Sequence, residues 1–324
     1  MPTRILITGV TGPVGSALAD ELLTLPDVEL HAFKRWRSDP RPIQHLFGRV
    51  TIHEGDIEDP FAVAAAVRAA APDLVYHLAA QSYPSASWDA PVATLRVNVE
   101  GTVNLLEAVR AHAPRARVHI AGSSAEYGVV GPEEVPIAET HPLRPASPYG
   151  VSKVAQELLG LQYHDSYGLH VVVTRSFNHV GPRQGDRCSI QTFCRQMALV
   201  EAGLQPPVLL VGNLEARRDF SHVNDVARAL WLLLQRGRPG AVYNLCSGEA
   251  TRIGDIVEMV RARGRAPAEV RVDPARLRPL DEPILLGDNT LLRRDTGWAP
   301  RVGMAQIVDE LLDYWRERVR GERL

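Results

Sequence analysis

The first half of the chain alternates short apolar, β-branched runs with longer stretches whose apolar residues recur at helical spacing. Ile5-Leu6-Ile7-Thr8 reads as a strand and 13–24 as a helix. Strands follow at 28–33 and 50–53, an Ala-rich helix at 61–70, a strand at 74–78 and a long helix at 91–112. Further strands are predicted at 117–121 and 171–174. Short strands separated by helices of ten or more residues are the mark of βαβ units. The predicted fold is therefore α/β, with a doubly wound parallel sheet.

After Phe177 the pattern loosens. Helices are predicted at 190–202, 223–235, 253–263 and 304–318, with short strands at 208–211 and 242–245. Prolines and arginines crowd 273–283, and there is no internal repeat or low-complexity linker. The expected division is a dinucleotide-binding Rossmann domain over 1–176, to which 213–247 returns. A smaller substrate lobe takes 177–212 and 248–324.

Composition narrows the class. A length of 324 residues fits one large or two closely joined domains, and 45% hydrophobic with 23% charged residues is ordinary for a soluble globular chain. A net charge of -2 gives no bias toward nucleic acid or an anionic membrane. No apolar run approaches the ~18 residues of a membrane span, and the N-terminus lacks the pattern of a signal peptide. Three cysteines with no CxxC pair argue against a disulfide framework or a metal site, and a reducing cytoplasm is expected.

Thr8-Gly9-Val10-Thr11-Gly12-Pro13-Val14-Gly15 lies between the first strand and the first helix. Glycines there let the backbone approach a pyrophosphate at a helix N-terminus. Gly9, Thr11, Gly12, Pro13 and Val14 are the expected contacts. An acidic residue ending the second strand would hold an NAD ribose. Here the strand runs into Phe33-Lys34-Arg35-Trp36-Arg37-Ser38. Lys34, Arg35, Arg37 and Ser38 suit a 2′-phosphate, so NADP(H) is preferred and NAD(H) stays open. Asp56 and Ile57 end the third strand, where Asp56 could accept from the adenine amino group. Leu78, Ala79 and Ala80 are small enough at the fourth strand's end for the dinucleotide to lie flat.

Only Lys34 and Lys153 are lysines among 36 basic residues. Lys153 follows Tyr149 by one helical turn, which puts both on one face. An ammonium beside a phenol is expected to lower the phenol's pKa and make it a usable proton donor. Gly122-Ser123-Ser124 after the fifth strand supplies a hydroxyl that could bond a substrate oxygen. Ser123, Ser124, Tyr149 and Lys153 form the candidate catalytic set, a constellation suited to hydride transfer beside a nicotinamide.

With the glycine loop, His77-Leu78-Ala79-Ala80-Gln81-Ser82 and the Tyr149/Lys153 pair, the chain resembles the extended short-chain dehydrogenase/reductase family. Arg175 to Gln184, Val211 to Phe220, Leu277-Arg278-Pro279 and Thr296-Gly297-Trp298 make it similar to the nucleotide-sugar branch acting on GDP-linked mannose derivatives. The resemblance implies either 4,6-dehydration of GDP-mannose or NADPH-dependent reduction of the C4 ketone of GDP-4-keto-6-deoxy-D-mannose to GDP-D-rhamnose. A 4-epimerase holding NAD is a third reading. Dehydratases of this branch carry a glutamate two residues after the catalytic Ser/Thr. Counted back from Tyr127-Gly128, Ser123 takes the Ser/Thr position and Ala125 the glutamate position, which favours the reductase. A one-residue shift would instead make Ser124 catalytic and give Glu126 the carboxylate role.

The resemblance also adds Phe177 and His179 to the cofactor site. It assigns Ser82, Tyr83, Ser123, Asn178, Asn213, Arg218 and Arg278 to the substrate, with the two arginines on the diphosphate. Glu215 joins Asn213 as a reader of the guanine. It further implies a homodimer packed through helices near 91–112 and 148–166, with Ala108, Val109, Leu158, Leu159 and Leu161 as the apolar face.

Overall fold

A computed structural model of the chain describes residues 1–186, 188–277 and 282–321. The elements, in order, are β1 (Thr3–Thr8), α1 (Pro13–Leu22), β2 (Val28–Lys34), β3 (Thr51–Glu54), α2 (Pro60–Ala70), β4 (Leu74–His77), α3 (Pro84–Asp89), α4 (Pro91–Leu95), α5 (Gly101–His112) and β5 (Arg117–Ser123). There follow α6 (Pro148–Tyr167), β6 (His170–Ser176), β7 (Asn178–Val180), α7 (Ser189–Glu201), β8 (Val208–Val211), β9 (Arg217–His222), α8 (Val223–Arg236) and β10 (Val242–Leu245). The last are β11 (Ala250–Arg252), α9 (Ile253–Arg263), β12 (Glu269–Val272), β13 (Ile284–Leu285), α10 (Thr290–Thr296) and α11 (Met304–Gly321).

Seven parallel strands form the main sheet in the order β10-β6-β5-β4-β1-β2-β3. This is the doubly wound sheet that the alternation predicts. Because it is covered on both faces, its central strands are apolar without interruption. Ile5 and Ile7 pack on one face with Leu18 and Leu22 of α1 and Leu230, Leu233 and Leu234 of α8. Leu6 packs on the other, with Val63 and Val67 of α2 and Leu105 and Val109 of α5. Each fully buried Leu or Ile contributes about 1.5–3 kcal/mol.

A second core lies among α7, β8, α9 and α11, built from Phe193, Met197, Leu209, Ile256, Val260, Leu311 and Trp315. Beside it, β9 pairs with β7, β11 and β13, and β8 pairs with β12. The stretch 213–247 thus divides: β9 sits in this small sheet, while α8 and β10 belong to the large one.

Two expectations need correction. The helix predicted over 91–112 is broken into α4, a π-helical turn at Arg96–Glu100 and α5. Buried Asn98 turns its amide toward the loop after β4 at this irregularity. Ala108 and Val109, expected on a dimer face, are 5% and 0% exposed within the α2–α5 core. The apolar stripe of α5 is spent on the sheet. On α6 it is Val151 and Leu158 that are exposed, with Leu159 and Leu161 half-buried. No helix among the described residues is long and apolar enough to cross a membrane.

Candidate functional site

The carboxyl ends of β1 to β6 converge on one edge of the sheet, where ligands of open α/β sheets bind. Gly9 ends β1 with φ 75°, and a Cβ there would lie 2.6 Å from Ala79 N. Only glycine accepts both the left-handed backbone and the close approach of the β4 end. A Cβ on Gly15 would stand 2.5 Å from Gly9 O, so that glycine lets α1 pack against the turn. Gly12 is the extended N-cap of α1, with Pro13 at the first helical position, and Thr11, Pro13 and Val14 are half-buried around it. Thr8 Oγ1 shares a 2.8 Å hydrogen bond with His77 Nδ1 and accepts from Ala79 N, fixing the Leu78–Ala80 segment beside the glycine turn. This cradle of small residues at a helix N-terminus fits a dinucleotide pyrophosphate.

The cations at the end of β2 are not equally available. Lys34 is 9% exposed, and its ammonium donates to Glu54 Oε1 at the end of β3. That corrects its expected role: it neutralises Glu54 and ties two strand ends together. Arg37 donates to Asp56 at 3.1 Å, so the carboxylate expected at the adenine holds a guanidinium. Arg35 is exposed and Ser38 half-buried at the same edge. Ile57 packs in the core, and Asn104 donates to its carbonyl at 3.0 Å.

Helix α6 positions the chemistry. Ser147 caps it by accepting from Gly150 N, and Pro148 opens its first turn. The one-turn spacing then stacks Tyr149, Lys153 and Glu157 along one buried face. Tyr149 faces the Ser123 side chain at the end of β5, whose hydroxyl lowers the phenol's pKa. Lys153 Nζ donates to Ala121 O at 2.8 Å and lies 5.7 Å from the Tyr149 ring centroid. Burial pushes the Tyr149 phenol up to about 12, partly offset by the Ser123 hydroxyl. Burial likewise pulls the Lys153 ammonium down to about 8, opposed by Glu126. The expected lowering of the phenol by the ammonium is thus not found: burial and the Glu126 charge both raise it, and Ser123 is what opposes them. Ser123 is the hydroxyl brought to Tyr149, while Ser124 begins the short turn that follows β5.

Glu126 is 0% exposed. Its Oε1 accepts from Ser123 N at 2.6 Å, and its Oε2 lies 3.8 Å from Arg175 Nε. Arg175 in turn holds Glu157 through bonds of 2.8 and 2.6 Å. The carboxyl group therefore points into the protein behind Ser123.

Across the cleft, Asn178 donates to Asp219 O at 3.2 Å. His179 beside it is lowered by burial. Phe177 turns into a core with Tyr127, Ile137 and Cys246, so its side chain is not offered to a dinucleotide, which corrects that assignment. Ser82 and Tyr83 are exposed after β4, and Tyr83 Oη stands 4.0 Å from where a Cβ of Gly185 would be, on the opposite rim. Arg218 donates to Arg217 O and Glu282 O at 2.9 and 2.7 Å. Asn213 accepts from Glu215 N, and Glu215 is paired with Arg252. Arg278 lies outside the described residues. A cleft of about 470 Å³ opens between α7 and β8, with Arg195, Gln196, Leu210, Arg271 and Arg276 on its walls.

Three contributors escaped the sequence reading. Asn98 accepts from Gln81 N at 2.7 Å and donates to Gln81 O and Ser152 Oγ, pinning the Gln81–Tyr83 loop to α6. Arg183, at φ 67°, reaches from the loop after β7 to Asp20 of α1 and Pro42 O. The Glu126–Arg175–Glu157 cluster is the third. Polar residues inside apolar helical or strand segments were the one signal available for Asn98, Glu157 and Arg175.

A family model described as GDP-mannose 4,6 dehydratase matches residues 6–311. The GDP-6-deoxy-D-mannose reductase of Pseudomonas aeruginosa is 35% identical over 322 residues, covering 99% of this chain and 100% of the relative. A GDP-mannose 4,6-dehydratase of Vibrio cholerae is 33% identical over 359 residues, covering 98% of this chain and 95% of the relative. The solved structure of RMD from Pseudomonas aeruginosa complexed with NADPH superposes with a TM-score of 0.85 at 32% identity, covering 98% of this chain and 100% of that one.

Proposed function

The chain belongs to the GDP-mannose 4,6-dehydratase family, and on that premise we propose that it is an NADPH-dependent reductase of GDP-4-keto-6-deoxy-D-mannose, giving GDP-D-rhamnose. The observation that carries this reading is the direction of Glu126. A 4,6-dehydratase needs a carboxylate at the substrate beside the hydroxyl and phenol. Here Ala125 occupies that place in sequence, and the neighbouring carboxyl is buried on Ser123 N and Arg175. A reductase needs a proton donor and an oriented carbonyl, for which Ser123 and Tyr149 suffice.

NADPH, when bound, supplies the hydride to the sugar C4 carbonyl carbon. Tyr149 gives its proton to the carbonyl oxygen as the C=O π bond opens. A phenol held up at about 12 is in the protonated form that this step consumes. Ser123 donates to the same oxygen and orients it, and the Lys153 ammonium favours the phenolate left behind. Gly9, Thr11, Gly12, Pro13 and Val14 would hold the pyrophosphate, Leu78 to Ala80 would leave room for the nicotinamide half, and Arg35 and Ser38 would hold the 2′-phosphate. Preference for NADP(H) rests on those two and on the absence of a carboxylate ending β2.

Ser82, Tyr83 and Asn178 would line the hexose, with His179 beside the nicotinamide. Arg218 would hold the diphosphate, and the cleft under Arg195, Arg271 and Arg276 would take the nucleoside end. The working unit is a homodimer through the exposed apolar face of α6, in a reducing cytoplasm. The dinucleotide lobe is 1–176 with α8 and β10 of the returning stretch 213–247, and the substrate lobe is 177–212 and 248–324 with β9.

The test is two incubations of the purified protein. Loss of NADPH matched by a GDP-6-deoxyhexose, with GDP-4-keto-6-deoxymannose as substrate, supports the reductase. A 4-keto-6-deoxy product from GDP-mannose with NADP⁺ and no net cofactor change would show a dehydratase instead.

A further inference from the structure

The buried acid behind Ser123 has no part in the hydride step, yet it is bonded to Ser123 and its charge acts on Tyr149 and Lys153. Its two oxygens face different partners. Oε1 accepts from Ser123 N at 2.6 Å, closing a capping box in which Ser123 Oγ accepts from Ala125 N at 3.2 Å. Oε2 is fully buried and receives no hydrogen bond from a donor among the described residues. The guanidinium nearest it, Arg175, is already engaged. It gives two bonds to Glu157, one to Tyr127 Oη at 3.1 Å and one to Glu139 O at 2.8 Å. The other charge near it is the Glu157 carboxyl, which raises Glu126 further. An ionised oxygen buried without a donor is costly, so Glu126 carries a proton.

Resting on the reductase reading, we propose that Glu126 is a positioning residue. As a neutral acid accepting from Ser123 N–H, it fixes the β5 end that carries Ser123, and at neutral pH it keeps an extra charge out of the site. The groups acting on it are Tyr149, Lys153 and Glu157 from α6 and Arg175 from β6, whose guanidinium also bonds Tyr127 and Glu139 O. Burial and Glu157 push the acid up to about 8. Gly122 leaves it room, since a Cβ there would lie 2.5 Å from Oε1.

Glutamine tests this directly, because an amide reproduces the neutral acid's donor and acceptor and cannot ionise. A carboxyl raised on folding stabilises fully below its unfolded value of about 4.5 and loses that contribution as pH climbs through its folded value. The Tm of wild type minus that of Glu126→Gln should therefore fall from about pH 5 to about pH 9. In the ketosugar assay, Glu126→Gln should move the alkaline limb of kcat/KM to lower pH, because above about pH 8 the wild-type acid ionises and supports the Lys153 ammonium, which an amide cannot do. Glu126→Ala, which strips the acceptor from Ser123 N–H, should lower kcat roughly tenfold with NADPH affinity held within about twofold. A Tm difference that does not change with pH overturns the proposal, as does an unmoved alkaline limb. Dehydration of GDP-mannose by wild type and its loss in Glu126→Gln would overturn it too, making the acid a substrate-side group. If wild type reduces no ketosugar, the reductase reading fails, and the Tm comparison still decides the protonation of Glu126.

Discussion

Lys153 Nζ is anchored to the carbonyl of Ala121, 2.8 Å away on the strand that ends in Ser123, and not to the Tyr149 phenol one turn before it. The ammonium is thus positioned by β5, and its place is independent of the phenol's protonation. Burial has brought its pKa to about 8. Ketone reduction should accordingly hold through neutral pH and decline above about pH 8 as the ammonium is lost. Stability moves the other way. Between about 8 and about 10.5 the unfolded chain keeps a proton the folded one has released, so the contribution of Lys153 to stability rises with pH across that window. A kcat/KM profile flat to about pH 10 would remove Lys153 from the mechanism.

Tyr149→Phe takes away the proton donor and the partner of Ser123 while keeping the ring. Turnover should drop about 10²–10⁴-fold, the range for a lost general acid. NADPH binding, followed by fluorescence titration, should stay within a small factor of wild type. Wild-type turnover in this variant would mean that another group supplies the proton.

How far the sequence reached follows from where each signal lies. β1, β4 and β6 were readable because strands buried on both faces are apolar throughout. β7, β9, β11 and β13 are two to six residues long and half-polar, with Arg217, Arg218 and Asp219 inside β9, so no periodicity marks them. Tyr149, Lys153 and Ser123 were found because one turn of helix and one strand end suffice to bring them together. The pairing of Lys34 with Glu54 was not legible. It depends on β2 and β3 being neighbours in register, with Lys34 opposite Glu54. Likewise nothing local tells that Glu126 faces Arg175 and Glu157 from two other elements.

That pairing separates two lysine and arginine roles at the end of β2. Arg35→Ala should weaken NADPH binding while leaving NADH little changed, by about 1.5–3 kcal/mol if one charge-assisted bond to the 2′-phosphate is lost. Lys34→Met should leave the ratio of NADPH to NADH affinity near its wild-type value and lower Tm, since it strands Glu54. Equal loss of NADPH preference in the two variants would put Lys34 back on the phosphate. Kd values for both dinucleotides, measured side by side, decide it.

Gly9 is held by geometry on two counts. A side chain at φ 75° costs roughly 1–2 kcal/mol, and its Cβ would press on Ala79 N and Leu78 C at 2.6 and 2.7 Å. Gly9→Ala should therefore reduce stability by more than the backbone cost alone and displace the β4 end from the pyrophosphate cradle. The expected result is a lowered Tm together with at least about tenfold weaker binding of both NADPH and NADH, because the pyrophosphate is common to them. Selective loss of one dinucleotide would show that the turn reads something other than that shared group.

Assembly has its own test on α6. Val151 and Leu158 are 48% and 55% exposed, two helical turns apart on the side of α6 away from Lys153. Exposed apolar residues of α3 and α4, Trp88 at 64% and Val92 at 62%, lie on helices that pack against α6. Burying such a patch against its own copy would give an isologous, two-fold contact. Leu158→Asp puts a charge at the middle of that face, and two copies would meet across the axis, so repulsion adds to desolvation. Sedimentation should then show a shift from dimer to monomer. The pairing of Tyr149 with Ser123 lies on the opposite side of the helix, so the monomer should still bind NADPH. A wild-type chain that sediments as a monomer, or a Leu158→Asp variant that stays dimeric, would place the interface elsewhere.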